Sequence, residues 1–428
     1  MWKDAILGWP KLRGLCRLAL GAAMTAACVA CSEDLVGGAA CPSLCPGTQV
    51  VVRDTVIDAV TFDTVINEVT TIGTETALLL AARGDTLDTR VVVRFDSLPT
   101  RITRNGGDSA IADVDSAYLL LRMNTADTRV SDSVRIDVYD VDTTANDTSS
   151  AAILALFRPD RLIGGSVFDT AQVRDSMKVF LTNAKLLAKI TGSGRLRVGL
   201  RATSRGRVSL SVGAANDALS AALFFDPVPS DTAIKALTVT PRSMTPTNND
   251  ILRDDLLDYL VIARGAPPPP ANVLSIGGLP IRRSFLRFDV PQRILDSSTV
   301  LRATLLLTQV PNRFLDPRDS VLVLPQVVTA GEEVKDFARA ASLLSAFPVD
   351  TVRVAPGDSG VRNIEVAAAL RQWTTENNPF KQQRALVIRS NAEGLSAFDA
   401  HFYSLEAPLA LRPKLRVSYS LRTSFGIP

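Results

Sequence analysis

The chain has one histidine, His401, in 428 residues, and all five of its cysteines lie before residue 46. The first shortage excludes a histidine-rich metal centre and leaves a single residue for any Ser-His-Asp arrangement. The second removes thiol nucleophiles and cysteine ligands from most of the chain. No Gly-x-Ser-x-Gly elbow, Walker-type loop or His-Glu pair is present either. His401 sits in Ala400-His401-Phe402-Tyr403, where the expectation is a strand residue satisfied by its neighbours. Tryptophan is also scarce: Trp2 and Trp9 fall in the N-terminal segment, and Trp373, spaced by three from Leu370, reads as core. An aromatic platform of the kind that stacks on sugar rings is missing. These shortages point to a protein that is not an enzyme and carries no cofactor.

An excess of one charge is lacking too. Of 47 basic and 44 acidic residues, Lys3, Lys11, Arg13, Arg17 and Asp4 lie in the first 30, which leaves 43 of each in the remainder. A formally neutral chain has no basic surplus with which to neutralise a phosphate backbone, so nucleic-acid binding is disfavoured. The four basic residues precede an uncharged Ala- and Leu-rich run, Leu18 to Ala30, that is too short to span a bilayer. Basic head, apolar run and small residues together make residues 1–30 a secretory signal. Its end resembles the lipobox of bacterial lipoproteins, in which a cysteine becomes the lipidated first residue. Thr25-Ala26-Ala27-Cys28 and Cys28-Val29-Ala30-Cys31 are the two candidates, each with alanine before its cysteine and neither with the leucine usual three residues upstream, and parity favours Cys31, because Cys41 and Cys45 then remain as an even pair able to form a disulfide. Use of Cys28 leaves one thiol over. Residues 31–48, small and turn-forming, read as a flexible tether.

Beyond the tether the pattern has period two. Val50, Val52, Val56, Val60, Phe62 and Ile66 share one parity, and similar runs occupy 89–95, 117–123, 133–141, 195–201 and 207–212. Short β-branched runs bounded by Asp-Thr, Asn, Gly and Pro predict an all-β protein built as a sandwich. Two stripes at helical spacing, Val179-Phe180-Ala184-Leu187-Ile190 and Ile364-Ala367-Leu370-Trp373, predict one short helix in each half.

The chain also repeats itself. Arg94-Phe95-Asp96 recurs as Arg287-Phe288-Asp289, Ala82-Arg83-Gly84 as Ala263-Arg264-Gly265, Asp132-Ser133-Val134 as Asp319-Ser320-Val321, and Leu200-Arg201 as Ile388-Arg389. The order is kept, the period is long, and a stretch around Pro267–Pro270 reads as an inserted loop. The expectation is two tandem, jelly-roll-like sandwiches, at 49–228 and 234–422, joined near Pro227 and Pro229. Phe288 should be core, with Arg287 and Asp289 on the opposite face. Two acidic clusters offer oxygen ligands of the kind calcium prefers: Asp140, Asp142, Asn146 and Asp147, and Asp250, Asp254, Asp255 and Asp258. Of these Asp140, Asp142 and Asp147 are the candidate cation ligands, and solvated turns are the alternative.

Both halves resemble the DNRLRE-type domain, a β-sandwich of exported surface proteins related to some carbohydrate-binding modules. Leu274 to Gly278 before Arg282 to Asp289, the Ala303-Thr304-Leu305-Leu306-Leu307 strand, Ile364-Glu365-Val366 leading to Trp373, and Ala385 to Ser390 and Pro413 to Tyr419 carry the likeness. The resemblance implies a non-catalytic, lipid-anchored protein of the cell envelope, at the outer membrane or cell surface, with a structural or adhesive role. Its partners would be the membrane and a polysaccharide or another surface protein. A glycan-binding protein using a sandwich face or rim loops is the second expectation, and a secreted hydrolase the third.

Overall fold

The computed structural model describes residues 51–68, 76–104, 107–143, 149–215, 220–227, 236–244, 256–312, 316, 319–328, 350–374 and 384–422. Arg53–Pro428 is one compact unit. The first strands are β1 (Val52–Ile57), β2 (Val60–Glu68), β3 (Ala77–Arg83), β4 (Leu87–Phe95), β5 (Arg101–Arg104), β6 (Gly107–Ala110), β7 (Ser116–Arg122), β8 (Arg129–Val130) and β9 (Val134–Asp140). Helix α1 (Ser150–Leu154), strands β10 (Leu162–Phe168) and β11 (Ser176–Phe180), helix α2 (Asn183–Thr191), and strands β12 (Leu196–Thr203), β13 (Val208–Gly213) and β14 (Ala222–Asp226) follow. Then come β15 (Leu237–Val239), β16 (Asp258–Arg264), β17 (Val273–Gly277), β18 (Ile281–Phe288), helix α3 (Gln292–Leu295), β19 (Ser298–Val310), β20 (Val321–Val328), β21 (Val352–Val354) and β22 (Gly360–Glu365). Helix α4 (Ala367–Thr374) and strands β23 (Ala385–Ser390), β24 (Asp399–Tyr403) and β25 (Lys414–Leu421) complete the chain. The protein is all-β, and its layers form sandwiches.

In the first sandwich one layer runs β10-β9-β12-β4-β3-β13-β8, with β16 on β4, and the other runs β11-β7-β14-β15. In the second, β21-β20-β23-β18-β17-β24, with β2 on β18, faces β22, β19, β25 and β1. The long β19 turns the corner between these two layers by pairing with β24 at Gln309 and Val310. Period-two burial drives this assembly: in β7, Ala117, Leu119 and Leu121 point inward between exposed or half-buried neighbours, and they meet Val91, Val93, Val198 and Leu200 in the first core.

Strand pairings recur between the matched stretches. Arg197 pairs with Arg94 in the first copy and Ala385 with Arg287 in the second, while Ala202 pairs with Ile136 and Ser390 with Val323. Matched residues thus face matched residues across both ladders, so register as well as order repeats. One expected match fails. Ala82-Arg83-Gly84 ends β3, whose counterpart by pairing is β17, whereas Ala263-Arg264 ends β16. β16 corresponds to β2: Asp63 faces Leu286 and Asp258 faces Val93, just as Val65 faces Ser284 and Leu260 faces Val91.

These two strands have changed places. β2, inside the range expected for the first domain, pairs with β18 from Val60 to Glu68, and β16, inside the range expected for the second, pairs with β4 from Asp258 to Arg264. The strands before them follow suit, β1 pairing with β25 and β15 with β14. Each sandwich is therefore completed by an arm that lies outside its expected limits: the first by 237–264, the second by 52–68. The physical reason is an open edge. The hairpins β3–β4 and β17–β18 touch only near their turns and then splay, so one side of β4 and of β18 needs another strand to satisfy its backbone groups. The arms carry apolar residues to match: Leu260 joins the first core, and Ala59 and Val60 join the second.

Both arms are fastened alike. Asp258 accepts a 2.6 Å hydrogen bond from the Ala215 amide, and Asp63 accepts one of 2.8 Å from Leu405. At the Arg-Phe-Asp strands the Asp96 amide donates to Arg242 and the Asp289 amide to Ala59, in each case to the bend inside the arm.

The helices are shorter than their apolar stripes. Val179 and Phe180 belong to β11 and Ile364 to β22, because an alternating strand runs directly into each helix and extends its apparent stripe. Leu186 and Ile190 of α2, and Leu370 and Trp373 of α4, are buried. The two Arg-Phe-Asp copies have diverged in their charges. Asp96 is fully buried and takes both prongs of Arg197 at 3.0 and 2.9 Å, while Arg94, also buried, lies over Tyr259. Asp289 is 80% exposed and only 3.7 Å from Arg384, while Phe288 is buried with its ring 5.6 Å from Trp373. Phe288→Ala should therefore cost about 3–5 kcal/mol. Asp96→Ala, which strands a buried guanidinium, should also cost about 3–5 kcal/mol, and Asp289→Ala less than about 1 kcal/mol. Denaturant unfolding of the three variants checks this order, and equal costs for Asp96 and Asp289 would contradict it.

Candidate functional site

Where the copies meet, a cavity of about 460 Å³ opens between the β3–β4 turn and β24. Arg83, Gly84, Asp85 and Thr86 of the turn and Arg207 form one side, with Pro267–Pro270, Asn312, Asp399 and His401 around the rest. Gly84 holds φ +47°, a left-handed turn conformation that suits glycine. Four consecutive prolines set an extended segment whose rings give the wall an apolar surface. This volume is within the range of small-molecule sites.

The floor is built around Asp399. Its Oδ2 accepts from Arg282 Nη1 at 3.0 Å and lies 2.7 Å from His401 Nε2, and its Oδ1 accepts from Asn312 Nδ2 at 3.1 Å. Arg282 is itself 1% exposed and ties the surroundings together, donating to the carbonyls of Ala266 and Pro267 and, through Nε, to Asn67 of β2. The arm thus reaches the site through Asn67. On the opposite side Arg83 Nε donates to Thr86 Oγ1 at 2.9 Å, and the same hydroxyl donates to the Arg83 carbonyl at 2.8 Å. At the mouth, Arg264 at the end of β16 pairs with Asp85 at 3.1 Å.

Burial alone would raise the Asp399 carboxyl, but the His401 hydrogen bond and charge, with Arg282 and Arg83, outweigh it and hold the group below its ordinary value. Burial pulls Arg282 and Arg83 below theirs, against the raising effect of Asp399. Asp63 moves the other way. Burial and Glu406, opposed by the Leu405 amide, push its carboxyl from 3.8 up to about 6.

Asp140 and Asp142 do come together, but around cations: Lys189 lies 2.8 Å from Asp140 and 3.5 Å from Asp142, and Arg195 lies 2.7 Å from Asp142. Their charge is thus neutralised by protein groups, and Asp147 and Asn146 lie outside the described residues. Among those residues no group of three or more His, Cys, Asp or Glu is placed to hold a metal ion. Of the second acidic cluster only Asp258 is described, and it is the buried cap of an arm. Cys28, Cys31, Cys41 and Cys45 fall outside the described residues. No described helix is long and apolar enough to cross a membrane.

His401 is the strand residue expected, bonded to a neighbour, yet it also lines the cavity. The signal lay in its spacing: Asp399-x-His401 puts both side chains on one face of a strand. Arg83 carried no such signal, since only the turn and the neighbouring copy make it part of a site. A row of aromatics, Phe180, Tyr118 and Phe224, crosses the outer face of the four-stranded layer. Tyr118 and Phe224 stack on each other at 5.1 Å and 9°, and Lys178 sits 4.8 Å from the Tyr118 centroid. Ring faces turned toward each other are not available as a sugar platform.

Fold and site together define a duplicated all-β protein with a cavity at the junction of its copies. No protein family matches the chain, and no curated protein does. Among solved structures it is similar to the infectious bursal disease virus VP2 subviral particle, at 10% identity and TM-score 0.11 over 85% of this chain and 78% of that one. It is similar also to infectious bursal virus derived T=1 particles, at 11% identity and TM-score 0.11 over 86% and 76%. Likeness at that level carries no argument about fold or function.

The two displaced carboxyls give opposite pH slopes. Asp399, lowered, contributes stability that is full above pH 3.8 and is lost as pH falls through its folded value. Asp63, raised, contributes stability that is full below pH 3.8 and is lost as pH rises through about 6. Urea midpoints measured from pH 3 to 7 should show Asp63→Asn gaining on the wild type across that upper window, and Asp399→Asn losing the acid-side dependence. Slopes unchanged by either substitution would contradict the assignment.

Proposed function

We propose that the protein is a non-catalytic, lipid-anchored protein of the cell envelope with a structural or adhesive role, carried by lipid on Cys31. The reciprocal strand exchange is the observation that supports this reading. Strands β1 and β2, which follow the expected tether in sequence, lie within the second sandwich, next to β25 and β18. Tension entering from a membrane anchor would meet β1 on β25 and then the ladder of β2 on β18 from Val60 to Glu68. Such an arrangement suits a module that holds its shape under load. The even balance of 43 basic and 43 acidic residues beyond residue 30 is in keeping with anchoring by lipid rather than by surface charge.

Glycan binding is the second reading, and the junction cavity favours it over the outer face of the four-stranded layer, where Tyr118 and Phe224 stack on each other and Phe180 alone of the three is exposed. For a hydrolase, Asp399 is poorly placed to serve His401 alone, because its charge is shared with buried Arg282.

Two measurements separate these readings. In bacteria fed labelled fatty acid, wild-type protein should take up label and remain with the envelope, and Cys31→Ser should lose both; retained label would move the anchor to Cys28. The soluble chain from residue 49 should give no saturable signal on a glycan array. A defined glycan hit would shift the function to the second reading, and turnover of any arrayed glycan would overturn the non-catalytic one.

A further inference from the structure

Arg83 stands out at the junction cavity because its charge is not spent. The two carboxylates nearest the cavity are each paired elsewhere, Asp399 with Arg282 at 3.0 Å and Asp85 with Arg264 at 3.1 Å. Arg83 is half-buried, and among the described residues its side chain has one hydrogen-bond partner, the Thr86 hydroxyl on Nε. That bond has a geometric consequence. With Nε fixed from one side, both terminal nitrogens of the planar guanidinium remain as a fork of donors, oriented before any ligand arrives. Asp399 and Asp319 act on this partly desolvated guanidinium through space without a hydrogen bond, so it still gains from an oxyanion that can take two parallel hydrogen bonds.

The remaining walls narrow the class of ligand. The rings of Pro267–Pro270 offer apolar surface, while Asn312 and His401 offer polar contacts across the space. One unspent positive charge balances one negative charge, and a dianion would bring its second charge close to Asp85 and Asp399. We propose that the junction cavity is a binding site for a small organic monocarboxylate, with its carboxylate on the terminal nitrogens of Arg83 and an apolar body against the proline segment. This inference stands apart from the anchoring and adhesive reading, since it needs neither lipid nor polysaccharide.

His401 is the only histidine of the chain, so its imidazole proton signals report on this cavity without competing resonances. The chain from residue 49, at fixed pH, is titrated with phenylacetate, with phenylacetamide and with inorganic phosphate. Phenylacetate should move the His401 signals to saturation, and the amide and phosphate should not. Arg83→Met should weaken binding by about tenfold or more, the loss expected for a charge-assisted pair. Thr86→Val, which keeps the charge but frees Nε, should weaken it by a smaller factor, and Arg264→Met, which leaves Asp85 to compete for Arg83, should also weaken it. Unfolding midpoints establish that each variant is folded, and if Arg83→Met is not, Thr86→Val and the amide decide. The proposal is overturned by no saturable response to phenylacetate, by an equal response to the amide or to phosphate, or by binding that survives in folded Arg83→Met.

Discussion

The structure depends on the open edge of two strands. β4 and β18 are the central strands of their sheets, each bonded to β12 or β23 on one side and left uncovered on the other by a hairpin partner that splays away. A buried row of unpaired amides and carbonyls is expensive, and neither copy covers it with its own arm. Each copy uses the other's instead. The first sandwich is continuous in sequence from β3 to β16, whereas the second joins β17 to β25 with β1 and β2 from much earlier in the chain. Two units that could have been beads on a string are thereby one interlocked body.

The site follows from that exchange. Because β16 crosses to β4, its last residue, Arg264, comes to the β3–β4 turn and takes the charge of Asp85. Because β2 crosses to β18, Asn67 reaches the Nε of Arg282, whose Nη1 holds Asp399. The prolines between β16 and β17 span the remaining gap. Among the described residues Arg83 makes no hydrogen bond to an acid, since Asp399 and Asp85 are held by arginines positioned through these crossings and Asp319 lies beside Arg129. A cavity between two copies can therefore diverge without disturbing either core, much as the Arg-Phe-Asp strands diverged into a buried pair at Asp96 and an exposed one at Asp289.

Much of this was legible in the sequence. Alternation marked β4, β7, β9, β12 and β13 nearly to the residue, since burial on one face imposes period two wherever a strand lies. Phe288 was recognisable as core from that alternation, and Trp373 from its helical spacing from Leu370. The duplication was legible too, though the Ala-Arg-Gly match paired strands of different place. The exchange was not, because a hydrophobic pattern states which face of a strand is buried and says nothing about which edge it pairs with. Helix limits at α2 and α4 were blurred where a strand's alternation ran into a helix's stripe. Asp140 and Asp142 looked like oxygen ligands because Lys189 and Arg195, distant in sequence, could not be seen beside them. His401 was visible as a strand residue but not as part of a wall, since the wall belongs to both copies.

The most direct measurement uses the chain from residue 49, which retains none of the five native cysteines. Val65 lies opposite Ser284 across the exchanged ladder, and Val91 holds the position of Ser284 in the other copy. Directly opposed residues in antiparallel strands are close enough for a disulfide. The account predicts that Val65→Cys with Ser284→Cys oxidises within the monomer and Val65→Cys with Val91→Cys does not. The reverse result would mean that each sandwich keeps its own arm, and would contradict the exchange on which the junction cavity rests.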